Sequence, residues 1–271
     1  MGRINKITLA YLIGTSLFYG LLIVAQKIGL KHGLDPLSFS FSRSIIIIIT
    51  SFVYFFPQWK DLKFIKKSEF KKLVILGIIS AALIIILFFG QNITTAINVG
   101  FLIRITPLFV LPFAYFLLKE KFSRKSILLM FMMLIGVFLL ITNGALIIPY
   151  LGDLLIVIVA MTIAFQNVFA KKIMHGVSTD IVIFFRVCLS ALLIVLFIPL
   201  FLGYQSFSAL FEGLFYVLLT AILYFLSVIC QYKAVKLIGP FTTTTFFSRV
   251  HYFQHYSLIF CWEKPCLSYS G

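Results

Sequence analysis

The chain has 271 residues, of which 62% are hydrophobic and only 11% are charged, and its formal net charge is +15. A water-soluble domain of this length cannot bury so much apolar surface, so the composition excludes a soluble protein and indicates an integral membrane protein. The basic charge would suggest nucleic acid as a partner in a soluble protein, but here its placement favours the lipid bilayer and no nucleic acid.

Apolar windows of about 20 residues, the length that crosses the ~30 Å hydrocarbon core, recur along the chain. They predict nine transmembrane helices, over residues 7–25, 37–56, 73–90, 99–118, 126–142, 150–170, 181–202, 210–232 and 239–262. We interpret the first as an uncleaved anchor, because it lacks an Ala-x-Ala cleavage site and eight spans follow it. The predicted fold class is an all-α, polytopic membrane protein built as a helical bundle.

The lysines and arginines fall mainly in alternate connections between these predicted spans. The cationic set comprises Arg3, Lys6, Lys60, Lys63, Lys66, Lys67, Lys71, Lys72, Lys119, Lys121, Arg124, Lys125, Lys171, Lys172, Lys233 and Lys236. The opposite connections carry only Lys27 and Lys31 in the first loop and Lys264 at the end. By the positive-inside rule, we expect a multi-pass protein of the cell membrane with a cytoplasmic N-terminus.

Four pairs of charged residues share one sequence offset of 143 positions. The pairs are Glu69 with Glu212, Glu120 with Glu263, Arg43 with Arg186, and Lys121 with Lys264. Because so few residues are charged, this agreement indicates an internal duplication, with residues 1–145 as the first copy and 146–271 as the second. Each copy holds an odd number of spans, so the second copy should be inverted in the membrane, as in secondary transporters.

Several segments resemble one transporter family. In PLFVLPFAYFLLKEKFS, residues 107–123, a proline opens the fourth predicted span and a glutamate follows thirteen residues later; the fifth span contains LIGVFLL. AQKIGLKHGLDPLSFSFSR, residues 25–43, is partly repeated over residues 170–186. On these motifs the chain resembles the EamA-type members of the drug/metabolite transporter superfamily. The resemblance implies ten helices in a five-plus-five inverted repeat, with Pro107, Glu120 and Glu263 as signature positions.

We predict nine of those ten helices in this sequence, because Gly271 corresponds to Leu128 at the same offset. The last predicted span also carries Arg249, His251, Gln254 and His255, and Val250 stands where Pro107 predicts a proline. We therefore expect an altered, truncated second copy. The alternative is a genuine divergent end in which the two histidines, at helical i, i+4 spacing, form a proton or metal site, but two histidines without a third ligand rarely hold a metal. We predict no metal site.

Ionisable residues inside a span are costly and are therefore candidates for function. Arg43 and Arg186 lie about two turns inside the second and seventh spans. Being duplicates, they either bind an anionic solute from each half or cap a neighbouring helix. Arg104 has no charged duplicate, since Phe247 stands at its offset position. Asp153, near the start of the sixth span, is expected to be an ordinary solvated helix end.

Uncharged polar residues within spans must face protein or water rather than lipid, so they predict either a midplane pocket or hydrogen bonds between helices. The candidates for the solute pathway, besides the three arginines, are Gln91, Thr94, Asn98, Gln166, Asn167, Tyr224, Gln231, Thr242 and Thr245. Glu120 lies among Lys119, Lys121, Arg124 and Lys125, so we expect it to make local charge contacts and not to be catalytic.

The leading functional hypothesis is a secondary transporter that exports a small organic solute, a metabolite or drug. A GxxxxGK[ST] loop is missing from the sequence, so we expect a proton gradient rather than ATP to supply the energy. A membrane-bound transferase would need a polar catalytic cluster, which the sequence does not show, so we predict neither an enzyme nor a cofactor. A structural or regulatory membrane protein, or an inactive truncated transporter, is the alternative, and a homodimer is left open.

Overall fold

The computed structural model describes residues 5–31, 36–94, 98–99, 102–125, 127–128, 131–132, 135–136, 139, 151–197 and 209–246. The predicted spans 126–142 and 239–262 therefore lie largely outside the described residues. So do Glu263, His251 and His255, and the side chain of Gln91.

The helices of the first half follow the predicted order. They are α1 (Lys6–Lys31), α2 (Pro36–Phe55), a 3-10 helix (Phe56–Phe64), α3 (Lys67–Asn92), a 3-10 turn (Ile103–Ile105) and α4 (Thr106–Leu118). The fourth predicted span is thus a short helix with a 3-10 entry. Its first turn accommodates Pro107, where a missing N–H breaks no helical bond. It ends where Lys119 adopts a left-handed conformation, with φ of 57°.

The helices of the second half are α5 (Leu151–Ile173), α6 (Thr179–Phe197) and α7 (Ala209–Ile238), and residues 240–246 are helical as well. Six helices among the described residues, α1 to α3 and α5 to α7, are long and apolar enough to cross a membrane. Large apolar side chains such as Val53 and Phe116 are 70% and 74% exposed, as expected for surfaces that face lipid. The predicted all-α, polytopic membrane fold is confirmed.

The helices of one half pack mainly on those of the other. In the described residues α1 lies against α7, α2 against α6 and α7, α3 against α5 and α6, and α4 against α5. Small residues allow the close approach that membrane helices need. Gly14 lies beside Cys230, Gly29 beside Tyr216, and Gly90 beside Ile156. The core is therefore formed between the two halves.

The lysine-bearing connections meet at one end of the bundle, which we call the lysine-rich end. The end of α2 contacts the start of α6, because Tyr54 lies 2.6 Å from Asp180. Lys233, near the end of α7, lies 3.8 Å from the same carboxylate. The Lys171 ammonium donates to the carbonyl oxygen of Lys236. The opposite end holds the C-terminus of α3 and the start of α5, where Gly152 lies beside Ile93.

Candidate functional site

Arg43 is the eighth residue of α2, so its Cα lies about 10 Å along the axis from the start of that helix. Its Nη1 donates to Oε1 of Gln26 on α1 at 3.2 Å. Its Cζ lies 5.9 Å from the ring centroid of Tyr224 on α7. The Nε atom is buried and has no hydrogen-bond partner among the described residues. Arg43 is thus held by neutral groups from two other helices.

Arg186 is the eighth residue of α6 and has a similar environment. With the Gln166 amide oriented so that its oxygen faces the guanidinium, Oε1 accepts from Arg186 Nη2 at 3.3 Å and also from Arg186 Nε. The same oxygen lies 2.5 Å from Oγ of Ser80 on α3. The Arg186 Cζ lies 4.7 Å from the Tyr232 ring centroid. Its Nη1 is buried and has no described partner.

The two arginines occupy different depths of the bundle. Helices α2 and α6 are antiparallel, because Tyr54 contacts Asp180 while Phe52, earlier on α2, contacts Phe184, later on α6. Being the eighth residue of each helix, the two arginines lie near opposite ends. Tyr224 and Tyr232, their respective ring contacts on α7, are eight residues apart, which is a rise of about 12 Å. Both estimates place one arginine towards each membrane face.

Asp153 forms a separate polar group at the end away from the lysines. It is buried, at 5% exposure. Asn98 Nδ2 donates to its Oδ1 at 3.0 Å, and the Thr94 hydroxyl donates to the same oxygen. The expectation of a solvated helix end is therefore wrong, because polar side chains that follow α3 replace water around this carboxylate. Thr94 and Asn98, expected to line a pocket or bridge helices, make such a bridge here.

At the lysine-rich end, Asp180 connects the halves. Tyr54 donates to Oδ1 at 2.6 Å, and Gln58 Nε2 lies 3.5 Å from Oδ2. The ring of Phe55, which is fully buried, stacks on Phe184 at 4.5 Å, beside Trp59. This end is therefore closed by a polar contact and by an aromatic cluster to which both halves contribute.

Comparison with protein families supplies the identity of this bundle. Residues 6–142 match the sequence profile of the EamA-like transporter family, which is just over half of the chain. The chain belongs to the EamA-like transporter family. No curated protein sequence matches it. The chain is therefore a multi-pass membrane protein of a family of transporters, as the motifs around Pro107 and Glu120 predicted.

The remaining predicted residues of this EamA-like transporter occupy other positions in the bundle. Arg104 is buried in the 3-10 turn before α4, and Asn167 is buried on α5 with its Nδ2 unpartnered among the described residues. Gln231 is half-buried on α7. Thr242 and Thr245 follow α7 in the helical residues 240–246, and Gln91 lies near the end of α3.

Glu120 of the family signature lies just beyond α4, where charged residues of the second half also act on it. Partial burial raises the pKa of its carboxyl above the ordinary 4.5, and the charges of Lys171 and His175 lower it. These two residues come from the end of α5 and the turn that follows it, so Glu120 contacts the second half of the EamA-like chain. Pro107, the other signature residue, is buried in the first turn of α4.

Sequence reasoning missed several partners in this EamA-like transporter. Gln26, Ser80 and Tyr232 contact the arginines, and Tyr54 and Asp180 join the halves. On α7 the sequence analysis named Tyr224 and Gln231, whereas the ring beside Arg186 belongs to Tyr232. A search of α7 for aromatic residues about two turns apart would have found it. The other partners depend on helix rotation, which leaves no local sequence signal.

Proposed function

We propose that this EamA-like transporter moves a small organic solute across the cell membrane by alternating access between two inverted repeats, residues 1–145 and 146–271. Membership of the family carries the proposal. In secondary transporters of this design, two inverted halves exchange conformations around a site near the middle of the membrane. The solute pathway would include the arginine sites and the neighbouring polar residues predicted from the sequence.

The pattern of helix packing supports two equivalent, inverted halves. At the 143-residue offset, α1 corresponds to α5, α2 to α6 and α3 to α7. Exchanging each helix for its counterpart therefore converts the contact of α1 with α7 into the contact of α5 with α3. It also converts the contact of α2 with α7 into that of α6 with α3. All four contacts are present. Such agreement is expected of an inverted repeat and would be a coincidence in an unrelated bundle.

The register of these contacts gives further support. Gly14 on α1 lies beside Cys230 on α7. Adding the 143-residue offset to Gly14 gives Val157 on α5, and subtracting it from Cys230 gives Leu87 on α3. These two residues lie in one apolar cluster. The offset found among the charged pairs thus also leads from two neighbouring residues to two members of one apolar cluster.

Charge placement supports a cytoplasmic lysine-rich end and therefore a cytoplasmic N-terminus. With that orientation, Arg43 would lie towards the outer face and Arg186 towards the inner face. The contact of Tyr54 with Asp180 would close the cytoplasmic side of the pathway. We further propose export as the direction and, because the sequence lacks a GxxxxGK[ST] loop, a proton gradient as the energy source.

Solute counterflow in liposomes tests the proposal. Purified protein is reconstituted, loaded with one unlabelled compound from a panel of carboxylic acids, amines and sugars, and exposed to the same compound carrying a radioactive label. Alternating access predicts transient accumulation of label for at least one compound, above that in protein-free liposomes. The exposed Arg124→Gln variant should behave like the wild type, because this side chain lies outside the pathway. Absence of counterflow across the panel would instead favour a structural or regulatory membrane protein.

A further inference from the structure

Arg43 and Arg186 lie inside membrane-spanning helices, and no carboxylate of the described residues forms an ion pair with either of them. Among the described residues, the ion pairs are Lys72 with Glu69 and Lys233 with Asp180, and neither arginine takes part. Arg43 contacts the Gln26 amide and the Tyr224 ring. Arg186 contacts the Tyr232 ring and the Gln166 amide, whose oxygen Ser80 also contacts. Neutral partners orient a guanidinium but do not cancel its charge, and an uncompensated charge is costly in an apolar interior.

Each guanidinium also keeps an unused donor. Arg43 Nε and Arg186 Nη1 are buried and have no hydrogen-bond partner among the described residues. A buried donor without an acceptor is destabilising, and native proteins seldom retain one without a reason. A carboxylate or phosphate would supply both the missing acceptor and the missing negative charge, because its oxygens match the planar fork of a guanidinium.

The placement of the two arginines fits a moving ligand better than a fixed one. They come from equivalent positions of the two halves, and their tyrosine contacts on α7 lie about 12 Å apart along that helix. One arginine would serve each side of the pathway. An anionic group could then pass from one guanidinium to the other while the halves exchange conformations.

We infer that the transported solute is a small organic anion, whose carboxylate or phosphate group binds Arg43 and Arg186 in turn. This inference rests on the proposed transport function and names its substrate class. Gln26 and Gln166 act as positioning residues, since each accepts from a guanidinium and fixes its orientation. Tyr224 and Tyr232 each make a cation–π contact with one guanidinium.

Ligand protection of the purified full chain in detergent tests this inference without requiring a flux assay. Succinate and glycerol 3-phosphate are compared with their uncharged counterparts, succinamide and glycerol, with sodium chloride added to equal ionic strength. The thermal unfolding midpoint should rise by several degrees with at least one anion and stay unchanged with its neutral counterpart. Equal effects of anion and counterpart on the wild type would overturn the inference and require no variant.

Charge-neutralising variants locate the effect. Arg43→Gln combined with Arg186→Gln should abolish anion protection, whereas Arg124→Gln, at an exposed position outside the spans, should retain it. If the double variant does not fold, Arg43→Lys and Arg186→Lys keep the charge but lose the fork, and each should weaken protection severalfold. Full anion protection in either set would overturn the inference. So would protection by phosphatidylglycerol alone, because the anion would then be a lipid headgroup.

The outcomes also separate this inference from the proposed function. Arginine-dependent anion protection without counterflow of the same anion would sustain the anion site and count against transport. Counterflow of a neutral or cationic compound that is equal in wild type and Arg43→Gln would sustain transport and overturn the anionic substrate. Arginine-dependent counterflow of succinate or glycerol 3-phosphate is the result expected if both are correct.

Discussion

At the scale of single residues, the hydrogen bond from Tyr54 to Asp180 is a cross-half contact that one substitution can remove. The phenolic oxygen lies 2.6 Å from a carboxylate that also has Lys233 at 3.8 Å. Hydrogen bonds to charged groups contribute more than those between neutral groups, but Asp180 is only partly buried, so solvent reduces the gain. The contact stabilises this closed end without locking it.

Tyr54→Phe should therefore lower the free energy of unfolding by about 1 kcal/mol, measured by titrating SDS into mixed micelles. The ring and its packing on Phe225 are kept, so only the hydroxyl is lost. Tyr115→Phe is the matched control, because Tyr115 is 58% exposed on α4. Equal stability of the two variants would show that the Tyr54 contact contributes nothing.

Glu120 provides a pH-dependent contribution whose sign follows from its surroundings. Partial burial raises the pKa of the carboxyl above 4.5, against the opposing effect of Lys171 and His175. In the unfolded chain the carboxyl returns to its ordinary pKa, so the folded state binds the proton more tightly. The stability gained from this proton is fully present below pH 4.5 and is lost as pH rises through the folded pKa.

Glu120→Gln removes this titration. Relative to the variant, the wild type should lose thermal stability as pH is raised from below 4.5 through the region just above it, and the difference should then level off. The measurement is the unfolding midpoint at closely spaced pH values. Lys121→Gln, a neighbouring exposed charge, controls for net charge and should keep the wild-type slope. A constant difference between wild type and Glu120→Gln at every pH would contradict the assignment.

The sequence alone singled out the two arginines inside the spans but not Asp180, and the difference has a physical reason. Arg43 and Arg186 stand out because charge is rare in spans and because they are duplicates. Asp180 does not stand out, since an acidic residue in the first turn of a helix is common. The partners of Asp180 are set by how α2 and α6 are rotated about their axes. The burial of Asp153 likewise depends on how the residues after α3 pack against α5, which the sequence does not reveal.

At the scale of helices, Gly77 shows how closely α3 and α6 pack. A methyl group built on Gly77 would lie 2.6 Å from Cδ2 of Leu189 and 2.8 Å from its Cβ. Because the Cβ is fixed to the backbone of α6, rotating the Leu189 side chain cannot relieve the overlap. The two helices would have to move apart.

Gly77→Ala should destabilise the protein by about 1–3 kcal/mol, the usual cost of overpacking. Gly136→Ala is the matched control, because a methyl group there meets nothing within 4 Å among the described residues. Alanine favours a helix over glycine at both positions, so the control should be neutral or slightly stabilising. If both variants unfold at the same SDS concentration, the tight α3–α6 contact is not present in the membrane.

Hydropathy predicted most helices well, because a membrane span must be both apolar and long. Hydropathy was less accurate for the fourth predicted helix, over residues 99–118. The 3-10 turn at Ile103–Ile105 moves the start of α4 to Thr106, whereas the end of the helix at Leu118 agrees with the prediction. An apolar window does not reveal such irregularities, since it measures composition and not backbone conformation.

At the scale of the whole molecule, the core of the described residues forms mainly between the two halves. Separating the halves of such a bundle would expose this core. The closed lysine-rich end joins Tyr54 to Asp180 and Phe55 to Phe184. Alternating access requires this end to open while the opposite end closes.

Spin-label distances in lipid nanodiscs test this central claim most directly. One pair of labels replaces the exposed residues Lys63 and His175 at the lysine-rich end, and a second pair replaces Ile93 and Phe197 at the other end. Wild-type protein treated with the label gives the background from its native cysteines. We predict two distances at each end, with populations that change in opposite directions between pH 5 and pH 8. A single distance at both ends, unchanged by pH and by every solute in the panel, would contradict the account.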